Sequence, residues 1–299
     1  MFQAAQKLGS SPNSQPAEIM TTGTLRGLPA RESKAVDKAN SARSSPEPEQ
    51  PLRGALAADP PLEPTPALLD ELAQQNHALE TASPQQILEW AAGRFAPGLT
   101  MATAFGPEGC YIIHMLSKIA PDTHVFNLET GYQFKETLQL RDRLAERYGL
   151  EVELRQPELN VQQYEQLHGG PLYNTNPNRC CFERKIVVLH QAVRGKYAWV
   201  SAIRRDQSPD RAGAPIVGWD NKFQLVKVNP LANCTKNDIW TMITEHDIPY
   251  NPLHDEGYTS IGCRPCTRMV MFGEDDRAGR WSGSSKTECG LHTLDDNQP

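Results

Sequence analysis

The chain has 299 residues, enough for one large hydrophobic core or two modest ones. Its 36 acidic side chains outnumber 30 basic ones, so the overall charge gives no case for nucleic acid or an anionic membrane. We find neither an apolar run of membrane-spanning length nor a secretory signal pattern. Seven cysteines, two of them adjacent, suit metal ligation in a reducing cytoplasm better than a disulfide framework.

The first 66 residues differ in composition from the rest of the chain. They hold 10 of the 24 prolines and few large apolar side chains, and seven basic residues balance seven acidic ones. Such a segment buries too little surface to offset its chain entropy, so we predict a disordered N-terminal tail at 1–66. Its scattered acidic residues argue against the alternative of a transit peptide.

From residue 67 onward, helical and strand-like patterns alternate. Helical spacing occurs at 67–80, 84–95, 110–119, 134–148, 180–193 and from 235, and Ser83-Pro84 and Gly149 supply start and stop signals. Strand-like apolar runs occur at 99–105, 123–128, 151–155, 197–203 and 224–228. This alternation predicts an α/β fold, a mostly parallel sheet with helices on both faces.

Two loops that follow predicted strands are candidate ligand sites. The first is the turn at 106–109, where a helix N-terminus favours a negative group and Thr103 adds a hydroxyl. The second is Glu129-Thr130-Gly131-Tyr132, because parallel sheets bind ligands beyond the carboxyl ends of their strands. The first loop has neither a Walker lysine nor a G-x-G-x-x-G pattern, so an ordinary turn is the alternative.

Four cysteines form two close pairs, Cys180-Cys181 and Cys263-x-x-Cys266. Four thiolates suit either zinc or an iron–sulfur cluster. Adjacent cysteines on a helix point in different directions, which a larger cluster accepts more easily than one tetrahedral ion. Spacing alone leaves zinc, a cluster and two unrelated buried pairs open.

Cys289 stands apart on a polar tail, between Lys286 and His292. A thiolate needs nearby positive charge, and a flexible tail lets it move between partners, so Cys289 is a candidate nucleophile. The alternative is an exposed tail thiol without function. Candidate cations for an anionic substrate, each of which is also compatible with a solvated surface, are Lys185, Arg204, Arg205, Arg268, Arg277 and Arg280.

Together these motifs resemble the adenylyl-sulfate (APS) and phosphoadenylyl-sulfate (PAPS) reductase family, from about residue 99 to 292. The segments that carry the resemblance are Cys180-Cys181-x-x-Arg184-Lys185, Arg204-Arg205-Asp206-Gln207-Ser208, Gly257-Tyr-Thr-Ser-Ile-Gly-Cys263-x-x-Cys266-Thr267, Gly279-Arg280-Trp281 and Glu288-Cys289-Gly-Leu-His292. Members with all four paired cysteines carry a 4Fe–4S cluster and mostly use APS.

The resemblance implies a thioredoxin-dependent APS reductase with a fold like that of the adenine nucleotide alpha hydrolases. One 4Fe–4S cluster would be held by Cys180, Cys181, Cys263 and Cys266. Cys289 would attack the substrate sulfur, expel AMP and carry an S-sulfo group until thioredoxin, or a glutaredoxin-like donor, releases sulfite. The substrate-binding residues it implies are Thr103, Phe105, Gly106, Glu129, Thr130, Gly131, Lys185, Arg204, Arg205, Asp206, Arg277, Arg280 and His292.

The implied organisation is a reductase domain at 67–270 and a mobile catalytic tail at 271–299. Three alternatives stay open: the same thiol chemistry on PAPS, an ATP-dependent adenylyltransferase with no use for Cys289, and a zinc-stabilised interaction module. A homo-oligomer is also left open. We expect a small-molecule substrate and no nucleic acid or membrane partner.

Overall fold

The computed structural model describes residues 61–292, so the tail predicted at 1–66 lies almost entirely outside the described residues and stays a prediction. The strands are β1 Leu99–Thr103, β2 His124–Leu128, β3 Val152–Arg155, β4 Ala198–Val200, β5 Val217–Asp220 and β6 Leu225–Val228. They form one six-stranded sheet in the order β3-β2-β1-β4-β6-β5. All neighbours pair in parallel except β5 with β6, which confirms the mostly parallel sheet.

Two helices precede the first strand, one follows the last, and the others connect β1 to β2, β2 to β3 and β3 to β4. They are α1 Pro66–Ala78, α2 Pro84–Phe95, α3 Pro107–Ile119, α4 Lys135–Tyr148, α5 Val161–His168, α6 Leu172–Thr175, α7 Pro177–Cys181, α8 Val187–Ala192 and α9 Lys236–Glu245. A π-helical turn, Phe182–Ile186, joins α7 to α8. None of the helices within residues 61–292 combines the length and apolarity needed to cross a bilayer.

The sheet is covered on both faces, because successive strand residues point to opposite sides. On β2, Val125 packs into the larger core with residues of α1, α2, α3 and α9, while Phe126 packs into a second core with Leu189 of α8. On β4, Val200 packs into the larger core and Trp199 packs into the second core. The helices on the two faces therefore make two apolar layers, as the predicted α/β fold requires.

Local signals explain where several helices begin. Ser83 caps α2 through a capping box with Gln86, and Pro84 occupies the first turn, as predicted. Helix α3 starts at Pro107, three residues before the predicted start at 110. The Gly106-Pro107 pair is thus a helix N-terminus rather than a separate turn, because proline fits a first helical turn without losing a hydrogen bond.

Three elements were not predicted from the sequence. Helix α5 is short, although its Asn160–Gln163 capping box is a readable start signal. Helix α6 spans one turn only. Strand β5 lies at the sheet edge and pairs only with β6, so its four residues carry little apolar pattern.

The strand order places a switch point between β1 and β4. From β1 the chain moves outward through β2 to β3, then returns to the opposite side of β1 as β4. The loops after β1 and β4 leave the same sheet edge in opposite directions and open a crevice between them. Open parallel sheets bind ligands in such crevices, and the candidate site lies there.

Candidate active site

A cavity of about 340 Å³ lies beyond the carboxyl ends of β1 and β4. Its walls come from the loop after β1, Lys185 in the π-helical turn, the loop after β4 and the C-terminal segment 275–292. The C-terminal segment thus packs over the crevice of the sheet. Residues that lie far apart in the sequence meet there because the parallel topology brings successive strand ends to one edge.

Most residues predicted to bind or attack the substrate line this cavity. They are Thr103, Gly106, Thr130, Lys185, Arg204, Asp206, Arg277, Arg280, Cys289 and His292. Cys263 borders the cavity as well. The structure therefore gathers four of the six predicted cations and the predicted nucleophile around one cavity.

Four of the predicted substrate residues do not line the cavity: Phe105, Glu129, Gly131 and Arg205. The Phe105 side chain is buried in the core. The Glu129 carboxylate turns back and accepts a hydrogen bond from the Gly131 N–H at 2.5 Å. Arg205 faces away, because its guanidinium pairs with Glu80 and donates to the Ala214 carbonyl at 2.8 Å. Of the two adjacent arginines, only Arg204 faces the cavity.

The loop after β1 aims the N-terminus of α3 at the cavity. Phe105 has a φ of +57°, and its N–H donates to Thr103 Oγ1 at 3.0 Å, which holds a tight bend. At Gly109 a Cβ would lie 2.6 Å from Thr103 Oγ1, so the close packing of α3 on β1 requires glycine. The first N–H groups of a helix have no intrahelical partner, and the helix dipole favours an anion beside them.

Six cations and five carboxylates line the cavity, and most of them are paired with each other. Arg204 pairs with Glu108 and, at 2.8 Å, with Asp206, while Lys236 binds Asp276 at 2.7 Å. The Glu288 carboxylate forms ion pairs with two arginines, with Arg211 at 2.8 Å and with Arg277 at 3.1 Å.

Lys185 and Arg280 are the cavity cations without a carboxylate partner among residues 61–292. Arg280 donates to Ser260 Oγ at 3.2 Å, and its buried Nε has no partner within the described residues. Burial lowers the pKa of Lys185, but the sulfurs of Cys263, Cys181 and Cys289 outweigh burial and raise that pKa above its usual value.

All four paired cysteines border a second, smaller cavity beside the first. The two cavities share Thr130, Lys185, Cys263, Arg280 and Trp281. Thr130 Oγ1 lies 3.3 Å from Cys263 Sγ, and the Arg264 N–H donates to the Tyr132 carbonyl at 2.7 Å, which ties the Cys263 loop to the loop after β2. The substrate cavity and the thiol cluster are thus direct neighbours.

The surroundings of these thiols disfavour free thiolates. Burial, together with the adjoining sulfurs, raises the pKa of Cys180 to about 12 and that of Cys266 to about 11. Such thiols ionise at neutral pH only when a metal replaces the proton. Among residues 61–292, no three His, Cys, Asp or Glu side chains converge closely enough for one metal ion.

The Cys289 tail is docked rather than extended. On one side, Glu288 is buried and ion-paired with Arg211 and Arg277. On the other side, the His292 ring stacks on Trp199, with ring centroids 5.9 Å apart and planes 5° apart. Burial lowers the pKa of His292 well below its usual range, so its imidazole is neutral.

Several residues of the site were missed at the sequence level: Arg211, Gln207, Glu288, Trp199 and Lys227. Gln207 and Glu288 stood inside recognised segments but had no assigned role. Arg211 and Trp199 carried no local signal. A lone arginine after a turn usually lies on the surface, and a tryptophan in a strand usually packs in the core. Lys227 lies in a strand, where burial lowers its pKa to about 8 and its Nζ lies 5.0 Å from the Trp199 ring centre.

An open parallel sheet with a cation-lined crevice at its switch point and a helix N-terminus facing it defines an α/β protein that binds a phosphate- or sulfate-bearing nucleotide. Residues 98–269 match the family described as phosphoadenosine phosphosulfate reductase domain. The chain belongs to this phosphoadenosine phosphosulfate reductase family, as the sequence motifs predicted.

Individual relatives agree with the assignment to the family. The chain is 46% identical over 207 residues to an adenosine 5′-phosphosulfate reductase of Bacillus pumilus, covering 69% of this chain and 89% of the relative. It is 45% identical over 227 residues to a phosphoadenosine 5′-phosphosulfate reductase of Gloeobacter violaceus, covering 75% and 93%. Among solved structures, the phosphoadenylyl-sulfate reductase of Candida auris in its phosphate complex matches with a TM-score of 0.61 and 28% identity, covering 71% of this chain and all of that one.

Proposed function

We propose that this chain is an adenylyl-sulfate reductase, which converts APS to sulfite and AMP in the assimilation of sulfate. The observation that carries the proposal is that one cavity holds the Cys289 thiol, a helix N-terminus and two cations that have no carboxylate partner among residues 61–292. Relatives named adenosine 5′-phosphosulfate reductase, at 43–46% identity, support the same reaction.

The charges of the cavity favour APS over PAPS. The phosphosulfate of APS carries about two negative charges, which match the ammonium of Lys185 and the guanidinium of Arg280. The 3′-phosphate of PAPS would add about 1.5 to 2 more. The remaining cavity cations are already paired with carboxylates, so a second dianion would have to displace one of them.

The first half-reaction needs only Cys289 and the cavity charges. The Cys289 thiolate attacks the sulfur of the bound sulfate, a sulfur–sulfur bond forms, and the bond from that sulfur to the bridging oxygen breaks. AMP leaves with the electron pair, and Cys289 carries the S-sulfo group. Lys185 and Arg280 offset the charge that builds on the departing phosphate oxygens.

The second half-reaction needs an external dithiol, which we propose is thioredoxin or a glutaredoxin-like donor. Its thiolate attacks Cys289 Sγ, and sulfite leaves with the electrons of the broken sulfur–sulfur bond. The second donor thiol then resolves the mixed disulfide, so the donor ends as a disulfide and Cys289 as a thiol. The tail must undock for this step, and the Gly- and Ser-rich stretch 282–285 permits such movement.

We propose that Cys180, Cys181, Cys263 and Cys266 hold one 4Fe–4S cluster. The proposal is supported by the four cysteines, which all border one cavity. When bound, the cluster would tie the Cys263 loop to α7 and set the electrostatic surroundings of Lys185. The dithiol donor supplies both electrons of the reaction.

Mass spectrometry of the Cys289 peptide tests the proposed function. After anaerobically purified enzyme is mixed with APS and no donor, we expect that peptide alone to gain one sulfo group. Cys289→Ser should abolish both the modification and turnover, while AMP binding and iron content persist. Turnover by Cys289→Ser, or a sulfo group on another residue, would contradict the assignment and reopen an adenylyltransferase.

Two further measurements separate the remaining alternatives. Comparing kcat/KM for APS and PAPS tests substrate choice, which matters because the Gloeobacter relative is named for PAPS. Iron and sulfide analysis should find about four irons per chain, and Cys263→Ala should lose them. Zinc in place of iron, with no turnover, would favour an interaction module.

A further inference from the structure

The segment around Cys289 is held on both sides by cations that the reaction proposed above does not use. Before the cysteine, Glu288 is buried and its carboxylate receives both arms of Arg211, Nε at 2.8 Å and Nη2 at 2.9 Å. After the cysteine, Lys222 Nζ donates to the Gly290 carbonyl at 3.0 Å. The thiol therefore lies between two anchored neighbours in a tail that is otherwise rich in glycine and serine.

Arg211 also connects this anchor to the nucleotide side of the cavity. Its Nη1 donates to Gln207 Oε1, and Gln207 Nε2 donates to Glu108 Oε1 at 3.0 Å. Glu108 lies in the first turn of α3, whose N-terminus faces the cavity. One hydrogen-bonded series, Glu288–Arg211–Gln207–Glu108, thus fixes the tail relative to the place where the substrate anion is expected.

We propose that the Arg211–Glu288 pair is a positioning clamp that sets the Cys289 sulfur in line with the substrate sulfur. Arg211 acts through Glu288 and not on the substrate. The planar fork of arginine binds a carboxylate through two parallel hydrogen bonds, which fixes orientation as well as distance, and lysine supplies the charge without the fork. A nucleophile displaced by about 1 Å loses about 100-fold in rate.

The inference rests on the proposed function, and its first test is single-turnover transfer to Cys289. Holoenzyme is mixed with APS without donor, and the sulfo group on the Cys289 peptide is followed in time for wild type, Arg211→Ala, Arg211→Lys and Glu288→Gln. We expect about 100-fold slower transfer in Arg211→Ala and Glu288→Gln, an intermediate loss in Arg211→Lys, and no loss of AMP affinity. Arg211→Ala combined with Glu288→Gln should be no slower than either single variant, since the two residues act as one unit.

A matched control removes another two-pronged Arg–Glu pair. Arg94 binds Glu71 at 2.8 and 3.1 Å between α1 and α2, and neither residue lines the cavity. Arg94→Gln should leave transfer within about twofold of wild type, because the pair is solvent-exposed and remote from the thiol.

A second readout does not depend on the reaction. Iodoacetamide should alkylate Cys289 faster in Arg211→Ala than in wild type, because the released tail exposes the sulfur more often. Two outcomes would overturn the clamp. One is that the alkylation and transfer rates of Arg211→Ala are unchanged. The other is that its AMP affinity falls in parallel with its transfer rate, which would make Arg211 a substrate ligand. If Arg211→Ala yields no iron-loaded protein, the transfer and alkylation rates of Arg211→Lys and Glu288→Gln test the clamp in its place. A wild type that never gains the sulfo group would refute the proposed function instead.

Discussion

Lys185 is one of the five residues that line both cavities. It shares the first cavity with Cys289 and the second with Cys181, and it has no carboxylate partner among residues 61–292. Its place in the π-helical turn directly after the cysteine pair explains how one side chain reaches both. A half-buried cation in that position can bind substrate oxygens without first releasing an internal carboxylate partner.

Replacement of Lys185 should therefore affect the reaction more than the fold. We expect Lys185→Met to lower kcat/KM for APS by about 100- to 1000-fold, because it removes a fixed charge from the developing anion. Steady-state kinetics measures the effect, and iron content reports the integrity of the site. Lys135→Met, at an exposed position at the start of α4, is the control and should be silent. An equal loss in both variants would argue against a role for Lys185.

Gly131 matters for the fold beside the thiols rather than for the substrate. It has a φ of +78°, and a Cβ there would lie 2.5 Å from Val161 Cγ2 and 3.2 Å from Arg184 Nη2. Arg184 in turn donates to the Thr130 carbonyl at 2.6 Å and packs on the rings of Tyr132 and Tyr164. Glycine is thus needed both for its backbone angle and for its size.

Gly131→Ala should destabilise the protein by about 2–4 kcal/mol, through backbone strain plus a steric clash. Gly149→Ala separates the two causes, because Gly149 has a φ of +62° but nothing within 4 Å of its added Cβ. That control should cost only about 1 kcal/mol. Denaturant unfolding measures both, and similar losses would show that the clash with Val161 is relieved at no cost.

At the scale of elements, α3, α4 and the end of α9 meet at a buried histidine remote from the active site. His114 Nδ1 lies 3.1 Å from the Tyr148 hydroxyl, its Nε2 lies 2.9 Å from Lys118 Nζ, and its ring stacks on His246 at 4.9 Å. Burial lowers the pKa of His114 to about 4, with help from Lys118, His246 and Arg147. The packing of these helices thus requires a neutral imidazole.

This histidine should make stability depend on pH. An unfolded histidine has a pKa of about 6.5, so between about pH 6.5 and 4 the unfolded state binds a proton that the folded state does not. Stability is therefore complete above about pH 6.5 and falls as the pH drops toward 4. His114→Gln should be less stable than wild type at pH 7.5, by a few degrees in Tm, and the difference should shrink by pH 5. A difference independent of pH would contradict the neutral imidazole.

At the scale of the whole molecule, the cavity walls come from residues between Ala102 and His292. The family match likewise begins at residue 98.

Removal of residues 1–60 should therefore leave kcat/KM for APS within about twofold of the full chain, because no described wall of the site is lost. Iron content and Tm should also persist. Kinetics of the shortened and full chains measure this, with removal of 283–299 as the contrasting variant that should abolish transfer. A large loss in the shortened chain would assign the N-terminal segment a role in the reaction.

Much of the element pattern was predictable because it is local. Ser83-Pro84 marked α2, Gly149 marked the end of α4, and apolar runs marked five of the six strands. The cysteine pairs and Cys289 were recognisable because thiols at those spacings have few other uses. The edge strand β5 and the short helix α6 were not predicted, because each has only four residues and so shows too little hydrophobic periodicity.

The sequence by itself determined the fold class, the family and the chemical types of the site residues, because these depend on short-range pattern and on side-chain identity. Only the tertiary structure decided which of two adjacent arginines faces the cavity, which cations are already neutralised, and that Arg211 holds the residue beside Cys289. Pairing between charges depends on distances across elements that are far apart in the chain, and no local pattern contains those distances.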